Sequence, residues 1–115
     1  MVVEKRFTLE EYVHEEDVLL RPVYISGPIS LLPYEVAKTR FMKTQDKLQK
    51  AGFFLIYNPV VFCDRDWEYE TCMRLCIRNL MDSKAIVMQR LWWLSSGARL
   101  ERKLAISLGI DVIYE

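Results

Sequence analysis

The chain lacks the usual marks of a secreted, membrane-embedded or nucleic-acid-binding protein. Its 115 residues include one histidine and three cysteines, and acidic and basic side chains balance at 16 each, for a formal net charge of zero. No Lys/Arg run stands out, so long-range attraction to nucleic acid or an anionic membrane surface is not implied. The N-terminus carries Glu4, Lys5 and Arg6 and no long apolar stretch, unlike a secretory signal. No segment is long and apolar enough to span a bilayer. An odd cysteine count argues against a disulfide framework, and cytoplasmic residence is the expectation. Repeats, linkers and low-complexity tracts are missing. Neither G-x-x-x-x-G-K-[ST] nor G-x-G-x-x-G occurs, which disfavours ATP and dinucleotide binding, and no cofactor is expected.

What is present is a hydrophobic content of 51%, enough for one domain to build a core without staples. Residues 1–20 read as an N-terminal extension. Within it Thr8 and Glu11 form a capping-box pattern that predicts a short helix near residues 9–16, serving either as a cap on a sheet edge or as a partner contact. From residue 22 the pattern is regular. Pro22-Val23-Tyr24-Ile25-Ser26 is a short apolar run stopped by Gly27-Pro28, hence a strand and a turn. Helical spacing over 33–51 ends at Gly52. Phe53 to Tyr57 reads as a second strand, 66–81 as a second main helix, Ala85 to Met88 as a third strand, 97–108 as a third main helix closed by Gly109, and Asp111 to Tyr114 as the last strand.

Uniformly apolar strands alternating with helices predict an α/β fold. The expected form is a short, mainly parallel sheet of about four strands covered on both faces, over residues 21–115. Ligands in such folds sit beyond the carboxyl ends of the strands, which draws attention to Gly27–Ser30 and Arg90–Gly97.

One side chain breaks the pattern. On a helical wheel of residues 98–108, Ala98, Leu104, Ala105 and Leu108 make an apolar stripe, Arg99, Arg102, Lys103 and Ser107 the other side, and Glu101 falls inside the stripe. A core-facing carboxylate needs a reason. A capping glutamate fits poorly, because Ala98 occupies the Ser/Thr place of the box. The remaining readings are an ion pair with Arg40 or Arg78, or a carboxylate serving a ligand at a helix start. There the Ser95, Ser96 and Gly97 hydroxyls and N–H groups suit a phosphate or sugar. A carboxylate in that position can attack an anomeric carbon.

The order YISGP (Tyr24–Pro28), Asn58-Pro59, AIVM (Ala85–Met88), Trp92, SSGARLE (Ser95–Glu101), Ala105 and Leu108 to Tyr114 resembles the DUF4406 family over roughly 22–115. That family is in turn similar to nucleoside 2-deoxyribosyltransferases and deoxynucleoside-monophosphate N-glycosidases. The resemblance implies a three-layer flavodoxin-like sandwich, often oligomeric, acting at N-glycosidic bonds of a nucleoside or nucleotide. By position, it implies Glu101 as nucleophile and Tyr24 as its orienting partner. Ser26, Gly27, Pro28 and Ile29 would form the pocket floor, Ser95, Ser96 and Gly97 the site for the 5′ hydroxyl or phosphate, and Trp92 a wall. Trp92 equally fits as a core plug. The chain departs from the family where an aspartate usually precedes the third strand (Cys76 here), where a second opens that strand (Lys84), and where Pro-Gly precedes the tryptophan (Arg90-Leu91).

Two further expectations concern the helix at 66–81. Cys72 and Cys76 share a face at i, i+4, but with Cys63 and His14 poorly placed they read as small buried hydrophobes, and no metal is expected. Tyr69, Cys72, Met73, Leu75, Cys76, Ile77, Leu80 and Met81 make the helix apolar over more of its circumference than one sheet face covers, which predicts a homodimer, or a higher homo-oligomer, through this helix.

Overall fold

The computed structural model describes residues 4 and 6–115. The chain runs β1 (Arg6–Phe7), α1 (Leu9–Tyr12), a 3₁₀ turn at Val18–Leu20, β2 (Val23–Ser26), α2 (Tyr34–Lys50), β3 (Ile56–Tyr57), α3 (Pro59–Phe62), α4 (Tyr69–Met81), β4 (Ala85–Met88), a 3₁₀ turn at Trp92–Leu94, α5 (Ser96–Ser107) and β5 (Asp111–Tyr114). The sheet is entirely parallel, in the order β1-β5-β4-β2-β3. Without β1 this is the 2-1-3-4 order of flavodoxin-like sheets, and β1 occupies the fifth place of that order.

The expected four strands are therefore five. The added one comes from the N-terminal extension, which serves as the sheet's edge. Thr8 and Glu11 close a full capping box, with Thr8 N–H donating to Glu11 Oε1 at 2.8 Å and Glu11 N–H to Thr8 Oγ1 at 3.2 Å. This turns the chain sharply after β1. Tyr12 is then fully buried, stacks on Phe53 and donates its hydroxyl to Asp111 Oδ2 at 2.9 Å. Two residues, exposed Arg6 and half-buried Phe7, pair too briefly for an alternation signal, which is why the sequence pattern does not show β1. The expected helix at 9–16 stops at Tyr12, and the 53–57 strand shrinks to Ile56–Tyr57 because Phe54 and Leu55 face solvent. Asn58 begins α3 rather than only ending a strand, its side chain accepting the Val60 N–H at 3.2 Å.

Strand alternation divides the core into two layers. Val23, Ile25, Ala85, Val87 and Ile113 pack with Tyr12, Phe41, Leu48 and Phe53 on the α1/α2 side. Tyr24, Ile86, Met88 and Val112 pack with Cys76, Leu80, Ala98 and Ala105 on the α4/α5 side. Gly52 and Gly109 end α2 and α5 at φ of +109° and +73°, where an L side chain is strained. Among the described residues no helix is long and apolar enough to cross a membrane.

Candidate active site

β2 and β4 are the two strands between which the winding of the sheet reverses, and the crevice beyond their carboxyl ends is where such sheets hold ligands. Tyr24 and Ser26 lie two residues apart on β2, so both side chains face the α4/α5 layer. Opposite them runs α5, whose buried residues are Ala98, Glu101 and Ala105. The two alanines let the helix approach closely, and Glu101 between them meets the strand. Its Oε2 accepts from the Tyr24 hydroxyl, and its Oε1 accepts from Ser26 Oγ at 2.7 Å. Glu101 is 5% exposed. Its partners are two hydroxyls and no cation: none of the described ion pairs includes it, and Arg40 donates instead to the Arg90 carbonyl at 2.6 Å. The stripe on α5 is narrower than the wheel suggests, since Leu108 is exposed beyond the helix end.

Burial governs the site's proton chemistry. Desolvation raises the Glu101 carboxyl to about 7 against the downward pull of the Tyr24 and Ser26 hydrogen bonds. Burial, and then the charge of Glu101, pushes the Tyr24 hydroxyl well above the ordinary tyrosine range. Cys76 lies against Tyr24, and burial followed by Glu101 pushes its thiol up to about 12. Near neutrality the carboxyl is thus poised between its two forms, while the phenol and thiol keep their protons.

The cavity around Glu101 is about 130 Å³, smaller than the roughly 300–1,000 Å³ of drug-sized ligand sites. Of the residues singled out in the sequence, Tyr24, Ser26, Gly27, Ile29, Ser95, Ser96, Gly97 and Glu101 line it. Ser95 caps α5, its Oγ accepting the Ala98 N–H at 3.2 Å. The first backbone bond of the helix start runs from Arg99 N–H to Ser95 O, which leaves the Ser96 and Gly97 N–H groups ahead of it. Gly97 leaves room there: a Cβ on it would meet Tyr69 Oη and Met73 Sδ at 3.6 Å. Gly27 is required by contact, because a Cβ on it would overlap Oε1 of the fully buried Gln89 and come within 2.8 Å of its Cβ.

Two expected residues fall outside. Pro28 is buried but does not line the cavity. Trp92 is not its wall. The ring packs near Tyr114 and Trp93, and the Arg102 guanidinium lies 4.6 Å from its centroid. Residues the sequence reading missed come from α4. Tyr69, Cys72, Met73 and Cys76, at i, i+3, i+4 and i+7, form the far wall. That spacing was legible, but it had been assigned to a subunit interface. Cys76, where the resemblance implies an aspartate, lines the cavity.

The cysteines also require a correction. Cys63 and Cys72 form a disulfide, with Cys76 free and buried. The odd count argued against a disulfide framework, and Cys72 read as a small buried hydrophobe; yet α3 turns Cys63 back onto the first turn of α4, nine positions away in sequence.

A family model described as Domain of unknown function (DUF4406) matches residues 21–114. No curated protein matches the chain.

Proposed function

The chain belongs to the DUF4406 family, and from that premise and the Glu101 pocket we propose an enzyme of the N-glycosidic bond. It is a hydrolase or (deoxy)ribosyltransferase for nucleosides or nucleoside 5′-monophosphates, similar in chemistry to nucleoside 2-deoxyribosyltransferases. The observation that carries this reading is the buried carboxylate, held through both oxygens by Tyr24 and Ser26 at the base of a cavity that opens at the start of α5. In the first step a Glu101 oxygen attacks C1′ and the C1′–N bond breaks. The bond pair leaves with the base, which takes a proton from water at the mouth. Water or an acceptor base then attacks C1′ and the carboxylate departs. Tyr24 and Ser26 orient the nucleophile and keep it partly ionised despite burial. The Ser96 and Gly97 N–H groups suit the 5′ phosphate.

A second reading rests on a specific feature of the lining: among the described residues Glu101 is its only carboxylate. Two-carboxylate glycosidases use a second acid for the leaving group, and general acid catalysis is worth about 10²–10⁴-fold. The alternative is therefore a nucleotide- or nucleoside-binding module, catalytically weakened, with a regulatory or structural role. One assay separates the two. The protein is incubated with deoxynucleosides, ribonucleosides and their monophosphates, with and without an acceptor base, and released or exchanged base is measured for wild type, Glu101→Ala and Glu101→Gln. Turnover lost in both variants supports the nucleophile, and turnover unchanged in both overturns it. Thermal stabilisation by a nucleotide without turnover selects the binding module.

A further inference from the structure

The three cysteine sulfurs belong together. Cys72 and Cys76 are one turn apart on α4, and their sulfurs are 3.8 Å apart. Cys63, at the end of α3, is bonded to Cys72. All three sulfurs lie within 4.8 Å of one another. A metal bound to thiolates at about 2.3 Å holds those sulfurs roughly 3.7–4.0 Å apart, so the Cys72–Cys76 pair already stands at ligand spacing. Only Cys63 must move, from a bond to a contact. It is half-buried, and the segment that joins it to α4, residues 64–68, is exposed throughout.

We propose that Cys63, Cys72 and Cys76 form a soft-metal site of three thiolates in the reduced protein. The disulfide is the oxidised, metal-free form of the same cluster. An external dithiol supplies the two electrons and two protons that convert the Cys63–Cys72 bridge to thiols, itself becoming a disulfide. The metal then displaces the thiol protons to solvent. An all-sulfur donor set selects thiophilic ions. Among the described residues no histidine, carboxylate or further cysteine joins the cluster, so coordination is three-fold, which suits copper(I) or cadmium(II) better than a closed tetrahedral zinc centre. Burial keeps the Cys76 thiol protonated in the free protein, and a bound cation removes that proton outright. The placement has a consequence. Cys72 and Cys76 both line the Glu101 cavity, and Cys76 abuts Tyr24, so a bound ion sits in the wall of the pocket.

The test is a titration of the full chain, reduced with a dithiol that is then removed anaerobically, using cadmium(II) and following the thiolate-to-metal charge-transfer absorption. One equivalent per chain is expected to saturate the band and to protect all three thiols from alkylation. The oxidised protein is expected to give no band. Cys63→Ser and Cys76→Ser are each expected to weaken binding by tenfold or more. Cys63→Ser, at a half-buried loop position, retains the fold and keeps the comparison valid if Cys76→Ser does not. Absence of the band in reduced wild type, or an unchanged titration in Cys63→Ser, overturns the proposal.

Discussion

Replacing Glu101 by glutamine tests the physics of the site without reference to any substrate. The carboxyl is raised from an ordinary 4.5 to about 7, chiefly by burial. At about 1.4 kcal/mol per pKa unit, that gap corresponds to about 3 kcal/mol. The folded state holds the proton more tightly than the unfolded one, so between these two values it binds more protons and stability falls as pH rises. The contribution is complete below about 4.5 and is lost as pH passes through about 7. Glutamine keeps the shape and removes the titration. The difference in unfolding free energy, glutamine variant minus wild type, is expected to climb by about 3 kcal/mol between pH 4.5 and 8. In a chain of this size that is on the order of 10 °C in Tm. Chemical denaturation at a series of pH values measures it, and taking the difference cancels every other titrating group. A difference that stays flat across the range would refute a buried, proton-coupled carboxyl. On the proposed mechanism the same proton governs activity. A nucleophile must be ionised, so any turnover is expected to rise with pH through about 7 while stability declines.

Three further outcomes follow from neighbouring contacts. Tyr24→Phe removes a hydrogen bond to the ionised carboxylate, worth about 1.5–3 kcal/mol. The acid limb of the pH–activity profile is expected to move up by about 1–2 pH units, and an unmoved limb would deny Tyr24 its orienting role. Gly27→Ala drives a methyl into Gln89 and is expected to cost about 1–3 kcal/mol, read as a lower urea midpoint at unchanged m-value. Trp67, Tyr69 and Met81 remain exposed on and just before α4; pairing through this helix is expected to give twice the chain mass in analytical ultracentrifugation, and a strictly monomeric mass removes that interface.

Much of this architecture was legible because long-period signals survive in a single sequence. The Ala98/Ala105 stripe marked the buried side of α5, so Glu101 stood out as its one charged member, and the family resemblance placed Tyr24 beside it. Ser26, expected only in the pocket floor, shares the face of β2 that carries Tyr24, and its hydrogen bond to Glu101 is seen only in the structure. What escaped were features fixed by tertiary contact. β1 is two residues long and exists because β5 offers it an edge. Trp92 lies outside the pocket, after the left-handed residue Leu91, which no periodicity reports. The disulfide depends on a single turn of α3 that positions Cys63. The apolar circumference of α4 was correctly read as too wide for one sheet face, but part of the excess lines a cavity.

That reassignment bears on how the site works. A cavity walled by Tyr69, Cys72, Met73 and Cys76 is apolar on the side facing Glu101, and an apolar wall is what raises a carboxyl's proton affinity. An aspartate at position 76 would place a second negative charge beside Glu101 and push its proton affinity higher still, unless the two shared a proton. Cysteine there removes that conflict and, on the proposed mechanism, leaves no carboxylic acid at that position for the leaving group. Cys76→Asp is therefore expected to split the two properties. If the family aspartate serves as acid, the variant gains base release from a nucleoside while losing stability above neutral pH, where two buried carboxylates would both have to ionise. A variant that is destabilised and gains no turnover would assign position 76 to packing alone, and would leave the nucleotide-binding module as the reading that fits the pocket.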